Sequence, residues 1–153
     1  MFALSMQLSK SVLLLPSSEK ILYWNVCRTL IRIRGDLAHK SFPSVLDRVK
    51  RSVAYAACHP HYARFDVRTV CRAVERAARY LPGQYLCLAQ ALAGYVVCSR
   101  YGLESVLKVG VKRGRDNRFE AHAWLEHNGK IVVGYLPDLD RFRVFDQFAE
   151  LVK

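Results

Sequence analysis

The sequence predicts an α+β fold, with helices first and an antiparallel sheet after them. Two observations carry this. Up to Arg100 the apolar residues recur every three or four positions, the period of an amphipathic helix. From Ser105 onward they alternate with period two, the mark of a strand with one buried face. A third sign is Asn128-Gly129, a pair suited to the tight turn between two antiparallel strands. Helices followed by strands, rather than alternating with them, argue against a parallel sheet.

The elements follow in order. Residues 17–35 read as a helix, with Ser17-Ser18-Glu19 as its cap, Leu22, Val26, Leu30 and Ile33 on one face, and Gly35-Asp36 as its end. Ser41-Phe42-Pro43-Ser44 reads as a loop, residues 44–55 as a second helix and Cys58-His59-Pro60-His61 as a turn. Asp66 caps a third helix over residues 67–80. Its apolar face holds Val70, Cys71, Val74, Ala77 and Ala78, and Arg68, Arg72, Arg76 and Arg79 form a basic stripe on another face. Leu81-Pro82-Gly83 stops it, and a fourth helix starts at Cys87 and runs to about Arg100. Strands are then expected over residues 105–112, 119–126, 130–135 and 141–145, joined as a meander.

Length and composition fit one domain over residues 1–153, made of a basic helical part (1–80) and a part bearing the Cys87 helix and the sheet (81–153). An apolar share of 52% is too high for a disordered chain. The net charge of +11 is uneven: residues 1–80 carry 14 Lys/Arg against 5 Asp/Glu, and residues 81–153 carry 10 against 8. A basic half of this kind attracts an acidic protein, an acidic peptide or nucleic acid. No glycine-rich phosphate loop, helix-turn-helix or zinc-finger signature is present, so sequence-specific DNA reading is not expected. The five cysteines form no CxxC pair, which suits free thiols in a reducing compartment. With no secretory signal and no apolar run long enough to span a bilayer, the expected location is cytoplasmic. Cys58, His59 and His61, with His39 nearby, lack the second ligand pair of a zinc site, so neither metal nor cofactor is expected.

The chemistry points to Cys87 and His122. A Pro-Gly break, then a cysteine, then a helical run puts the thiol at a helix N-terminus, where free N–H groups and the helix dipole favour thiolate. By itself a cysteine in an apolar helix is a core residue more often than a nucleophile. The helix-start position and the later strand-borne histidine favour the reactive reading. Ala91, Gly94 and Cys98 share the Cys87 face, and small side chains there let a sheet come close. Cys98 lies about 16 Å along that face, too far to bridge to Cys87 within the helix. His122 and Trp124 share one face of their strand, and His127 points to the other. A two-residue turn at Asn128-Gly129 would set Tyr135 opposite His122. The nearest acids beyond it, Asp138 and Asp140, are candidates to hold the second imidazole nitrogen, or else are solvated turn residues. Gln84 is a candidate second donor to an oxyanion beside the Cys87 N–H.

Cys87 and His122 together resemble the layout of papain and transglutaminase-type cysteine hydrolases. More closely, residues 85–145 resemble the leader peptidases of lasso-peptide biosynthesis, a transglutaminase-like family. The resemblance rests on Cys87-Leu88-Ala89-Gln90-Ala91-Leu92-Ala93, Leu107-Lys108-Val109-Gly110-Val111, Ala121-His122-Ala123-Trp124-Leu125-Glu126 and Asn128-Gly129. It implies a fold with the cysteine helix packed on an antiparallel sheet, Cys87 as nucleophile and His122 as its acid–base partner. The implied substrate is a ribosomally made precursor peptide cut between leader and core. Two partners are implied: a separate leader-binding protein, since the form resembled lacks a fused leader-recognition domain, and an ATP-dependent cyclase. Several relatives carry an acid twelve residues after the histidine, where this chain has Gly134. Asp138 is then the first choice for the third member and Asp140 the second. The rival expectation is a non-catalytic basic module that binds an acidic partner or RNA through the N-terminal helices.

Overall fold

In the computed structural model the described residues are 16–58, 65–114 and 116–145. They form four helices, α1 (Ser17–His39), α2 (Phe42–Cys58), α3 (Val67–Tyr80) and α4 (Cys87–Arg100). The strands β1 (Val106–Arg113), β2 (Phe119–His127), β3 (Lys130–Val133) and β4 (Arg143–Val144) follow, with a short 3-10 turn (Leu139–Arg141) before β4. This is the α+β order read from the periodicities.

Helix α4 is the hub. Residues 91 to 98 are all buried, and α1, α2, α3 and β2 pack around it. Small residues on its sheet side make this close packing achievable. A Cβ added at Gly94 would lie 3.1 Å from Leu125 Cδ2 and 3.5 Å from Val133 Cγ2. Leu107, Ala123, Leu125 and Val133 carry the core from this helix into the sheet.

The N-terminal helices are longer than the sequence signals suggested. α1 passes through Gly35-Asp36 to His39. Asp36 is buried and paired with Lys40 at 2.7 Å and Arg48 at 3.5 Å, which hold its carboxyl below the usual range. A residue that looked like a stop signal is instead a bridge to α2. The helix cap falls on Pro16 with no side-chain bond, not on the serines. α2 starts at Phe42, with Pro43 in its first turn, where a missing N–H costs nothing. Asp66 caps α3 as expected, accepting from the Thr69 N–H at 2.7 Å. His59 and His61 lie outside the described residues.

The sheet is antiparallel with order β3-β2-β1-β4, so the last strand does not extend a meander. It returns beside β1, which is Greek-key connectivity. Gly110 permits that return: a Cβ there would meet the Arg143 carbonyl at 2.9 Å and Trp124 at 3.1 Å. Asn128 and Gly129 both take positive φ, 49° and 72°, the turn the sequence called for.

Replacing Gly94 by leucine should overpack the α4–sheet seam and cost about 1–3 kcal/mol. Thermal unfolding should show it as a drop of about 2–4 °C per kcal/mol.

Candidate active site

Cys87 is the first residue of α4 and is half-buried. The break before it is real. Gly83 has φ +106°, and the Arg34 guanidinium of α1 fills the space its side chain would take, 2.6 Å from an added Cβ. The same guanidinium lies over the Tyr85 ring at 5.4 Å. Arg34 therefore braces the turn that delivers Cys87, a role no local sequence signal announces. No side chain caps α4, and the Leu86 carbonyl accepts from the Gln90 N–H at 3.1 Å. The first-turn N–H groups at Cys87 are thus left to other acceptors. Gln90 Nε2 donates to the Tyr85 carbonyl at 2.6 Å and ties the approach loop to the helix. Gln84 is exposed in that loop.

The other helix cysteines have different surroundings. Cys71 and Cys98 are almost fully buried, on α3 and α4. Their thiols share a hydrogen bond, and that bond together with burial pushes the Cys71 thiol up. Burial also raises Cys27.

His122 lies on β2, opposite Gly110 of β1. The β1–β2 register is unbroken from Val106↔Glu126 to Arg113↔Phe119. It sets His122 on one face with Gly110 and Trp124, and puts Leu107, Ala123 and Leu125 on the face that meets α4. The His122 ring stacks with Trp124 at 6.2 Å between centroids and tilts against Phe142 at 5.7 Å. Trp124 is fixed in turn: its Nε1 donates to Glu126 at 2.8 Å, and Glu126 pairs with Lys108 at 2.9 Å.

The His122 Nε2 lies 2.7 Å from the Gly134 carbonyl oxygen. A carbonyl only accepts, so Nε2 carries the proton and the neutral ring keeps its lone pair on Nδ1. Gly134 is twelve residues on, the position where several members of the resembled family carry an acid. Here a backbone oxygen holds the imidazole instead. A β-bulge brings it there. The two-residue turn pairs His127 with Lys130 and Glu126 with Ile131, and then Leu125 pairs with Val133. The extra residue shifts β3 by one, so Tyr135 does not face His122 as the unbulged hairpin predicted. Gly134 then bends under β2 with φ +79°, and a Cβ there would sit 2.8 Å from the Ala123 carbonyl. Only glycine suits that place.

Asp138 is turned elsewhere. Its carboxylate accepts from Lys112 at 2.6 Å and lies 3.9 Å from Arg141, and the Lys112 bond holds its pKa below the usual carboxylate range. Asp140 is exposed in the 3-10 turn. The expected carboxylate–His122 pair is replaced by the Gly134 carbonyl, because Lys112, on β1 beside Asp138, competes for the acid. His127 is engaged separately, with Nδ1 2.6 Å from the Glu104 carbonyl.

Among the described residues no hydrogen bond joins Cys87 to His122. From the Gly94–Leu125 contact, Cys87 lies seven residues back along the helix and His122 three back along the strand. Each step is about 10 Å. β3 pairs only with residues 125–127 of β2, and Gly134 then lies against Ala123 and Trp124.

Residues 29–146 match the family model of the transglutaminase-like superfamily, and the chain belongs to it. The family suggests cysteine-dependent acyl chemistry, of the peptidase or transglutaminase kind. No curated protein and no solved structure matches the chain. No helix among the described residues is long and apolar enough to cross a membrane.

Two outcomes are expected. Iodoacetamide followed by peptide mapping should label Cys87 and exposed Cys58 in the native protein, and Cys71 and Cys98 only after denaturation. Gly134→Ala should destabilise the fold by about 1–3 kcal/mol in denaturant titration, since a side chain is forced into a left-handed backbone. The same variant should perturb the His122 Nε2 proton signal in NMR.

Proposed function

We propose that this protein is a cysteine peptidase that removes the leader from a ribosomally made lasso precursor peptide, with Cys87 as nucleophile and His122 as general base and acid. The observation that carries it is Cys87 itself: a half-buried thiol on the first residue of the hub helix in a transglutaminase-like chain. The His122 tautomer supports the assignment, since Nε2–H on the Gly134 carbonyl leaves Nδ1 free to take a proton.

In this mechanism His122 acts as the acid–base partner of Cys87. Nδ1 takes the thiol proton, and the Cys87 sulfur attacks the scissile carbonyl carbon. The resulting oxyanion is held by the Cys87 N–H, with Gln84 as a second donor. The imidazolium then gives its proton to the departing amine as the C–N bond breaks, leaving a thioester on Cys87. Water, deprotonated by His122, hydrolyses the thioester and restores the thiol. The Gly134 carbonyl orients the ring, while Asp138 acts one step removed, anchoring the segment that follows Gly134 through Lys112. No cofactor or metal enters these steps. The product amine passes to an ATP-dependent cyclase, and a leader-binding protein docks on the exposed stripe of Arg68, Arg72, Arg76 and Arg79 ahead of α4, in a cytoplasmic setting.

Mass spectrometry of a precursor peptide incubated with the protein and its leader-binding partner tests this. Cys87→Ala should abolish cleavage. His122→Ala should lower it by at least about a hundredfold while circular dichroism stays native. Near wild-type turnover by folded His122→Ala would remove the histidine from the mechanism. Full biological function of Cys87→Ala would point to the basic binding module instead.

A further inference from the structure

A large cleft lies away from Cys87. It lies where α1, α2 and the end of α4 meet, and has a volume of about 760 Å³. Arg28 and Arg32 of α1, Arg48 and Arg51 of α2 and Arg100 of α4 line it, with Asn25, Tyr55 and Tyr101 among its other walls. Five guanidinium groups from three helices thus face one space.

Such convergence is unfavourable without an anion. Arg28 and Arg32 are one turn apart, where like charges repel. Among the described residues only Arg48 forms an ion pair there, with Asp36, a carboxylate that Lys40 shares and that Arg32 also acts on at longer range. Among the described residues Arg28, Arg32, Arg51 and Arg100 form no ion pair. Arg100 is partly buried, and its guanidinium is fixed by Thr29 Oγ1 at 3.1 Å, itself bonded to the Asn25 carbonyl at 2.7 Å. Asn25 also donates to the Tyr101 hydroxyl at 3.2 Å. Burial and the neighbouring Arg28 and Arg32 both disfavour the Arg100 charge, so the repulsion is felt at a side chain that is held in place.

We propose that this cleft binds a compact polyanion bearing two or three linked phosphate groups. Every cation in it is arginine, whose planar fork matches phosphate oxygens two at a time. The volume falls within the range of small-molecule sites. An acidic peptide spreads its charges along its length, whereas here five guanidinium groups from three helices line one space. Two sources share this chemistry, an inorganic polyphosphate and a nucleoside triphosphate, and the exposed Tyr55 is among the lining residues that a base would meet in the second case.

Isothermal titration calorimetry of the full chain at low salt tests the site, with inorganic triphosphate and ATP as separate probes. Binding of triphosphate and ATP with similar affinity identifies the phosphate chain as the ligand, and tighter binding of ATP identifies the nucleotide. Arg28→Gln with Arg32→Gln should weaken either by at least about tenfold, the usual worth of a hydrogen bond to a charged group. Arg51→Gln at the exposed rim is the single variant that keeps the test valid if the double variant misfolds, and it should weaken binding severalfold. Arg68→Gln with Arg72→Gln, on α3, should leave binding unchanged. The proposal fails if neither probe binds, if the α3 variant weakens binding as much as the cleft variants, or if an acidic peptide or RNA binds through Arg28 and Arg51 where triphosphate does not. None of these readouts depends on Cys87 or on peptide cleavage.

Discussion

Everything in this fold is referred to α4. A helix buried along residues 91 to 98 must meet apolar partners on all sides, and each partner inherits its position from that demand. α1 and α3 flank it, and β2 comes close at Gly94, where the missing side chain admits Leu125 and Val133. Dispersion and burial at this seam fix the sheet against the helix. The helix start is thereby held rigid while its first residue stays partly open.

The second constraint is the bulge in β3. One extra residue redirects the chain after Val133, and Gly134 then passes beneath β2 with a backbone conformation few residues tolerate. The His122 ring gains a carbonyl where an acid is the usual orienting group. The two are not equivalent. A carboxylate also stabilises the imidazolium that forms in mid-reaction, whereas a neutral carbonyl supplies direction with only a partial charge. In the proposed reaction the fixed tautomer is retained and part of the electrostatic help is given up. Trp124 and Phe142, in contact with each other at 6.5 Å between centroids, both pack against the ring and hold its geometry.

Local chemistry explains what was readable in the chain. The α3 boundaries and its Asp66 cap, the start of α4 at Cys87 and the Asn128-Gly129 turn are decided by neighbours in sequence, and each was legible. Gly94 was legible too, because a glycine in a helix needs a packing reason. Gly35-Asp36 misled, since its meaning lies in Lys40 and in Arg48 on another helix. The return of β4 to β1 and the bulge at Leu125 depend on contacts across the sheet, which alternation alone does not encode. Asp138 shows the same limit. Its spacing after His122 suited an orienting acid, but spacing says nothing of Lys112, which approaches from β1.

The arginines show where charge counting stops and placement begins. The excess in residues 1–80 read as one basic surface, yet the fold divides it in two. Arg68, Arg72, Arg76 and Arg79 stand exposed along α3, separated by helical turns and screened by solvent. Arg28, Arg32, Arg48, Arg51 and Arg100 instead face one cleft, where Arg100 comes from outside the basic half altogether. A stripe steers an encounter from a distance, and its effect fades with salt. A cleft concentrates the same charge on a volume that a small anion can fill. The distinction follows from helix packing: α2 crosses near α1 and the end of α4, so side chains far apart in sequence converge. The chain thus separates Cys87 from its densest positive charge, and two elements span the distance: α4, which carries Cys87 at one end and Arg100 at the other, and α1, which gives Arg28 and Arg32 to the cleft and Arg34 to the turn before Cys87.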